Sequence, residues 1–161
     1  LFTIEQLRRP NWQRLRELRI AALSESDSIH GDLDLETSAP AQYWHELLTN
    51  GTWIALKWNS DDVGLLVVAP PPPDRYGDCW IKSWWISPNF RNRGGARLML
   101  DWLTDFCYQR HWRIQALGVF ESNLDAIATY QRLGFRQVGE RKPASRENEF
   151  FIIMARHLSH G

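Results

Sequence analysis

The sequence predicts a mixed α/β domain organised on one sheet, and three observations carry that prediction. Thr52–Trp58 and Val63–Ala69 are apolar runs about the turn Asn59-Ser60-Asp61-Asp62, which reads as a β-hairpin. From Trp84 an apolar run ends at Ser87-Pro88, crosses a loop holding two arginines and Gly94-Gly95, and enters a helical pattern. A helical stretch from Asn123 to Leu133 is closed by Gly134, the residue that most easily adopts the left-handed cap.

The other elements follow in order. Phe2, Ile4 and Leu7 suggest a short first strand. Pro10-Asn11 opens a helix whose Trp12, Leu15, Leu18 and Ala22 form an apolar stripe, with Arg14 and Arg19 expected on a solvated face. Residues 24–37 are a polar, acidic connector with a short helical turn. Ser38-Ala39-Pro40 reads as a cap and first turn, and that helix runs to Asn50-Gly51. Pro70–Pro73 cannot donate to a ladder and is expected outside the sheet. A strand lies within Tyr76–Ser87, a helix over 95–110, and strands over 112–120, 135–140 and 150–155, with a loop at Lys142–Ser145. The predicted order is β-α-α-β-β-β-α-β-α-β-β. It shows no internal repeat and no linker, so residues 1–161 are expected to be one domain.

Composition narrows the function classes. The chain is 43% hydrophobic and 24% charged with zero formal net charge, so nothing global points to nucleic acid or an anionic membrane. No apolar run is long enough to span a bilayer. Leu1–Glu5 lacks the basic and apolar regions of a secretory signal, and Cys79 and Cys107 lack metal-ligand spacing. Buried thiols in a reducing cytoplasm, with no metal, are the expectation. The nine tryptophans should be core or pocket lining.

The loop after Trp84-Trp85-Ile86 has the chemistry of a phosphate cradle. The first amides of a helix have no helical acceptor and carry partial positive charge. Glycine lets backbone approach an anion without a Cβ in the way. Arg91 and Arg93 add charge. A nucleoside-triphosphate loop would end in Gly-Lys-Ser/Thr, and there is no lysine here. A dinucleotide fingerprint would need Gly-x-Gly-x-x-Gly, and only adjacent glycines are present.

Arg91-Asn92-Arg93-Gly94-Gly95-Ala96 matches Gln/Arg-x-x-Gly-x-Gly/Ala, and Ile86, Pro88 and Arg91 match the upstream part of the same signature. Downstream, Leu117, Val119, Asn123, Ala126, Tyr130, Gly134 and Phe135 match a second motif in the right order. On these residues the chain resembles the GCN5-related N-acetyltransferase (GNAT) family over about residues 84–136. The resemblance implies a twisted, mostly antiparallel sheet of about six or seven strands flanked by about four helices. It implies acetyl-coenzyme A as donor and an amine as acceptor. The pyrophosphate would sit on residues Arg91 to Ala96 with Arg97 alongside. The pantetheine arm would pair with backbone at Trp84, Trp85 and Ile86, the Ile86 amide would hold the developing oxyanion, and Asn123 would bond the arm. Tyr130 stands at the family's general-acid position.

The general base is left open. Where many relatives place a glutamate this chain has Trp80, and where peptide-acetylating relatives read Leu-Glu-Val it reads Leu117-Gly118-Val119. Ordered water, Glu121, Asp78 and the acidic connector are the alternatives. Asp32 and Glu36 of that connector are candidates for attracting a cationic acceptor. The leading expectation is acetyl transfer to a small-molecule amine by direct attack on the thioester, as a monomer or homodimer. A protein acetyltransferase and a non-catalytic acyl-coenzyme A sensor are the alternatives.

Overall fold

A computed structural model describes residues 1–159. By packing, the chain forms two compact units: residues 1–69 with 83–103, and residues 70–82 with 104 onward.

The first unit holds β1 (Phe2–Leu7), α1 (Trp12–Glu25), α2 (Leu33–Ser38), α3 (Ala41–Asn50), β2 (Thr52–Trp58) and β3 (Asp61–Ala69). It also holds the second half of β4 (Cys79–Ile86) and the start of α4 (Gly95–Gln109). β1 runs antiparallel to β2, with Phe2 opposite Trp58, and β2 runs antiparallel to β3. Strand side chains alternate between faces. Trp53, Ala55, Leu65, Val67 and Trp85 therefore share one face, packed against Leu15, Leu18 and Ala22 of α1 and Trp44 of α3. Ile54, Leu56, Leu66 and Val68 are buried as well, which is why both strands read as continuous apolar runs.

The second unit holds the first half of β4, the end of α4, β5 (Ile114–Phe120), α5 (Leu124–Arg132), β6 (Arg136–Pro143) and β7 (Phe150–His157). β4 pairs in parallel with β5 at Cys79–Gln115, Trp80–Ala116 and Ile81–Leu117. A parallel pair needs a long crossover, and α4 supplies it. β7 runs antiparallel to both β5 and β6. Trp80, Ala116, Ile153 and Ala155 form the core here. The Sγ atoms of Cys79 and Cys107 lie 3.8 Å apart as buried free thiols. With β4 common to both units, the strand order is β1-β2-β3-β4-β5-β7-β6.

The expected order of strands and helices holds, with three local differences. The connector contains a true helix, α2, capped by Asp32, whose Oδ1 accepts from the Leu35 N–H at 3.1 Å. Ser38 ends that helix rather than capping the next, and its Oγ donates back to the Asp34 carbonyl at 3.0 Å. Lys142 and Pro143, expected in a loop, belong to β6. The register of β6 slips between Val138 and Lys142, where Gly139 adopts φ +70° and makes a bulge.

Two arginines expected in solvent are built into the first unit. Arg14 donates to both Glu5 and Asp62, and its guanidinium holds the Glu5 carboxyl below the usual range. Arg19 is 5% exposed and forms a two-point ion pair with Glu36, itself 2% exposed. Removing one partner of a buried pair leaves the other charge uncompensated, at roughly 3–5 kcal/mol. Glu36→Ala is therefore expected to lower the chemical-denaturation free energy by about that amount.

Candidate active site

The glycine loop starts from the end of β4. Ser87 N–H donates to the Val63 carbonyl at 2.8 Å, and a single turn follows at Pro88–Phe90. Asn92 (φ +62°) and Gly94 (φ +89°) are both left-handed, which turns the chain sharply into α4. The first α4 bond to the loop runs from Leu98 N–H to the Gly94 carbonyl at 3.1 Å. The amides of Gly95, Ala96 and Arg97 are thus first-turn donors at the positive end of a 15-residue helix. A Cβ on Gly94 would meet nothing within 4 Å, so the space in front of it is open. A Cβ on Gly95 would lie 2.7 Å from Leu56 Cδ2. One glycine faces open space; the other lets the helix sit against β2.

Arg91 is placed differently from the charge-donating role expected of it. Its Nε donates to the Ile86 carbonyl at 2.7 Å, and its Nη2 donates to Glu25 at 2.6 and 3.1 Å. Trp85 Nε1 reaches the same carboxylate at 3.3 Å. Arg91 therefore ties the loop to β4 and α1, and fixes the backbone at Ile86. Arg93 is exposed, with its guanidinium 5.9 Å from the Phe90 ring centre. Trp84 is half-buried and Trp85 is core.

In the second unit Asn123 caps α5, its Oδ1 accepting from the Ala126 N–H at 3.2 Å. Losing such a cap costs about 1 kcal/mol. Asn123→Ala is expected to lower Tm by roughly 2–4 °C on that account, and a thermal melt checks it. Tyr130 sits two turns further along, its ring 6.0 Å from that of Phe135. Burial pushes its phenol pKa up to about 12. Glu121 is ion-paired with Arg141 at 2.8 Å and lines an open cavity of about 680 Å³ with Ile127, Gln137, Phe150 and Ile152. Gly118 lies under two rings: a Cβ there would be 3.3 Å from Trp80 and 3.4 Å from Phe151.

The acidic connector does not present both of its candidates to solvent. Asp32 is exposed and caps α2, whereas Glu36 is buried against Arg19. A carboxylate neutralised inside the core is not available to steer a cation across the surface. Arg19, Ser83 and Arg141 are residues of interest that the sequence reading passed over. Only Arg19 left a signal, since it falls on the stripe set by Leu15, Leu18 and Ala22.

The fold is a mixed sheet in which β4 runs into a helix opened by glycine. The profile of the acetyltransferase (GNAT) family matches residues 12–135. The chain belongs to that family, whose members use acetyl-coenzyme A. It is 36% identical over 77 residues to the ribosomal protein bS18-alanine N-acetyltransferase of Salmonella typhimurium. That match spans 46% of this chain and 52% of the relative, about half the relative's length. The fold also matches the ribosomal-protein-alanine N-acetyltransferase of Brucella melitensis, with TM-score 0.76, 18% identity, and 97% and 99% of the two chains covered. A third match is yncA of Salmonella typhimurium, solved with its cofactor acetyl-CoA, with TM-score 0.71, 15% identity, and 100% and 96% of the chains covered.

Proposed function

We propose that this chain is an acetyl-coenzyme A-dependent N-acetyltransferase acting on a primary amine, with residues 1–161 working as one catalytic domain. The observation that carries the reading is the Arg91–Arg97 loop. Its left-handed Gly94 faces open space beside the first-turn amides of α4, a setting suited to a diphosphate. Bound acetyl-coenzyme A supplies a thioester carbon for the amine to attack. The Ile86 N–H is the donor for the thioester oxygen as charge builds on it, and Arg91 steadies that peptide through the Ile86 carbonyl. Asn123 supports α5, which carries Tyr130.

Burial of Tyr130 bears on the part proposed for it in the chemistry. A phenol at about 12 faces a thiol with pKa about 8.5, so full proton transfer to the departing sulfur is uphill by roughly 5 kcal/mol. In this reading Tyr130 donates a hydrogen bond to the thiolate rather than giving up its proton. Glu121 is held by Arg141, and Trp80 and Phe151 pack over Gly118, where peptide-acetylating relatives carry glutamate. Asp78 accepts from the Arg113 and Ile114 N–H groups at 2.7 and 2.9 Å, Asp32 caps α2 and Glu36 is paired with Arg19, so loss of the amine proton is assigned to water in this reading.

The acceptor in this reading is a small-molecule amine, supported by the aromatic cover over Gly118 in place of a carboxylate. A polypeptide α-amine is the second reading, favoured by the names of the Salmonella and Brucella relatives. Free-thiol release from acetyl-coenzyme A, followed with small amines and with an alanine-initiated peptide, separates them. Cofactor binding without thiol release across the whole panel would instead make the chain an acyl-coenzyme A sensor.

A further inference from the structure

We infer that Arg19 is a positioning residue that clamps the left-handed Ser83 of β4 and so sets the backbone of Trp84–Ile86. The functional part of this inference rests on the acetyltransfer reading; the clamp itself rests on geometry. Among the described residues, Ser83 is the one non-glycine strand residue with positive φ, at +54°. That conformation is costly for an L-residue and persists only where its surroundings enforce it. The enforcing group is the Arg19 guanidinium. Nη1 donates to Ser83 Oγ at 2.9 Å, Nε donates to Glu36 Oε1 at 2.9 Å, and Nη2 donates to Glu36 Oε2 and to the His30 carbonyl.

One buried planar cation therefore joins α1, α2, the connector between them and Ser83 of β4. The connector fits closely around it. A Cβ on Gly31 would lie 2.5 Å from Arg19 Nη2 and 2.7 Å from Glu36 Oε2, so glycine is what lets the chain pass. Lysine could not replace this arginine, because its point charge cannot meet a carboxylate with two parallel bonds while also reaching a hydroxyl and a carbonyl. Ser83 stands in β4 just before the three residues assigned to the pantetheine arm and the oxyanion, so its left-handed backbone bears directly on where their amides point. Relaxation of Ser83 to an ordinary strand conformation would re-aim those amides without disturbing the Arg91–Arg97 loop.

The test compares three full-length proteins: wild type, Arg19→Met/Glu36→Leu, and the same pair with Ser83→Gly. The paired change removes both charges at similar volume, so no lone charge is left buried. Glycine at position 83 takes positive φ freely and should no longer need the clamp. Two readouts are taken: amide hydrogen exchange at Trp84–Ile86 against Ile54–Leu56, and the Kd of coenzyme A against that of 3′-phosphoadenosine 5′-diphosphate, which lacks the arm. In the double variant, exchange at Trp84–Ile86 should quicken about tenfold with Ile54–Leu56 unchanged. Coenzyme A should bind about tenfold more weakly and the fragment within about twofold of wild type, with Ser83→Gly restoring most of the loss. Unchanged exchange, equal quickening at both strands, equal loss for both ligands, or no recovery with glycine would each overturn the inference. If wild type bound neither nucleotide, the acetyltransfer reading would fail, and the exchange pattern would still decide the clamp.

Discussion

Tyr130→Phe is expected to lower kcat roughly 10- to 150-fold while leaving the Kd for coenzyme A near its wild-type value. The magnitude is that of one hydrogen bond to a charged group, about 1.5–3 kcal/mol, made only as the sulfur becomes a thiolate. Steady-state kinetics beside calorimetric titration give the two numbers. A kcat within twofold of wild type would take Tyr130 out of the mechanism, and an equal loss of affinity would make it a packing residue. The raised phenol pKa adds a second expectation. A group whose folded pKa lies above its unfolded value stabilises fully below the unfolded pKa, and that stabilisation is lost as pH rises through the folded one. The window is about pH 10 to 12, and the two units correspond to roughly 2–3 kcal/mol. Tyr130→Phe should flatten alkaline unfolding over that range. It should not change the activity profile near neutrality, where the phenol stays protonated.

Gly94→Val is expected to weaken coenzyme A binding at least about tenfold with only a modest loss of stability. At φ +89° any L-residue is strained by about 1–2 kcal/mol, and a branched side chain at the upper end. Among the described residues beyond its chain neighbours, nothing lies within 4 Å of the new Cβ, so the added bulk enters the space proposed for the diphosphate rather than the core. Gly95→Ala is the contrasting variant. Its methyl would push on Leu56 Cδ2 at 2.7 Å, so it should lower Tm more than it lowers affinity. Calorimetry and thermal melts on both variants check the pair. Equal affinities for wild type and Gly94→Val would place the diphosphate elsewhere.

Elements with a strong local signal were legible in the sequence. The hairpin of β2 and β3, the glycine loop into α4, and α5 with its Gly134 stop each carry their period and their punctuation in a few consecutive residues. The parts that were not legible depend on partners distant in the chain. Charge on α1 suggests a solvated face, yet Arg19 meets Glu36, 17 residues on, and Ser83, 64 residues on. Its position on the stripe of Leu15, Leu18 and Ala22 was the available clue. Glu36 looked like one more charge in an acidic connector for the same reason. The assignment of Lys142 and Pro143 to a loop followed from proline chemistry, but Pro143 sits at the last pairing of its strand, opposite Phe150, where a missing donor costs little. For the site, residue types and spacing pointed to the loop that is proposed to hold the cofactor. Only coordinates show that Arg91 braces Ile86, or that aromatic rings cover Gly118.

The bulge in β6 bears on how copies of the protein behave together. β6 ends the sheet, and unpaired backbone at such a margin is a template on which other chains can stack. Gly139 twists this margin, and Glu140, Arg141 and Lys142 crowd it with charge just where the ladder breaks. A straight, neutral margin would invite fibrous growth at high concentration; a charged, twisted one is expected to oppose it. Trimming the bulge to regularise the strand would therefore trade solubility for order, and light scattering during concentration would register the change first.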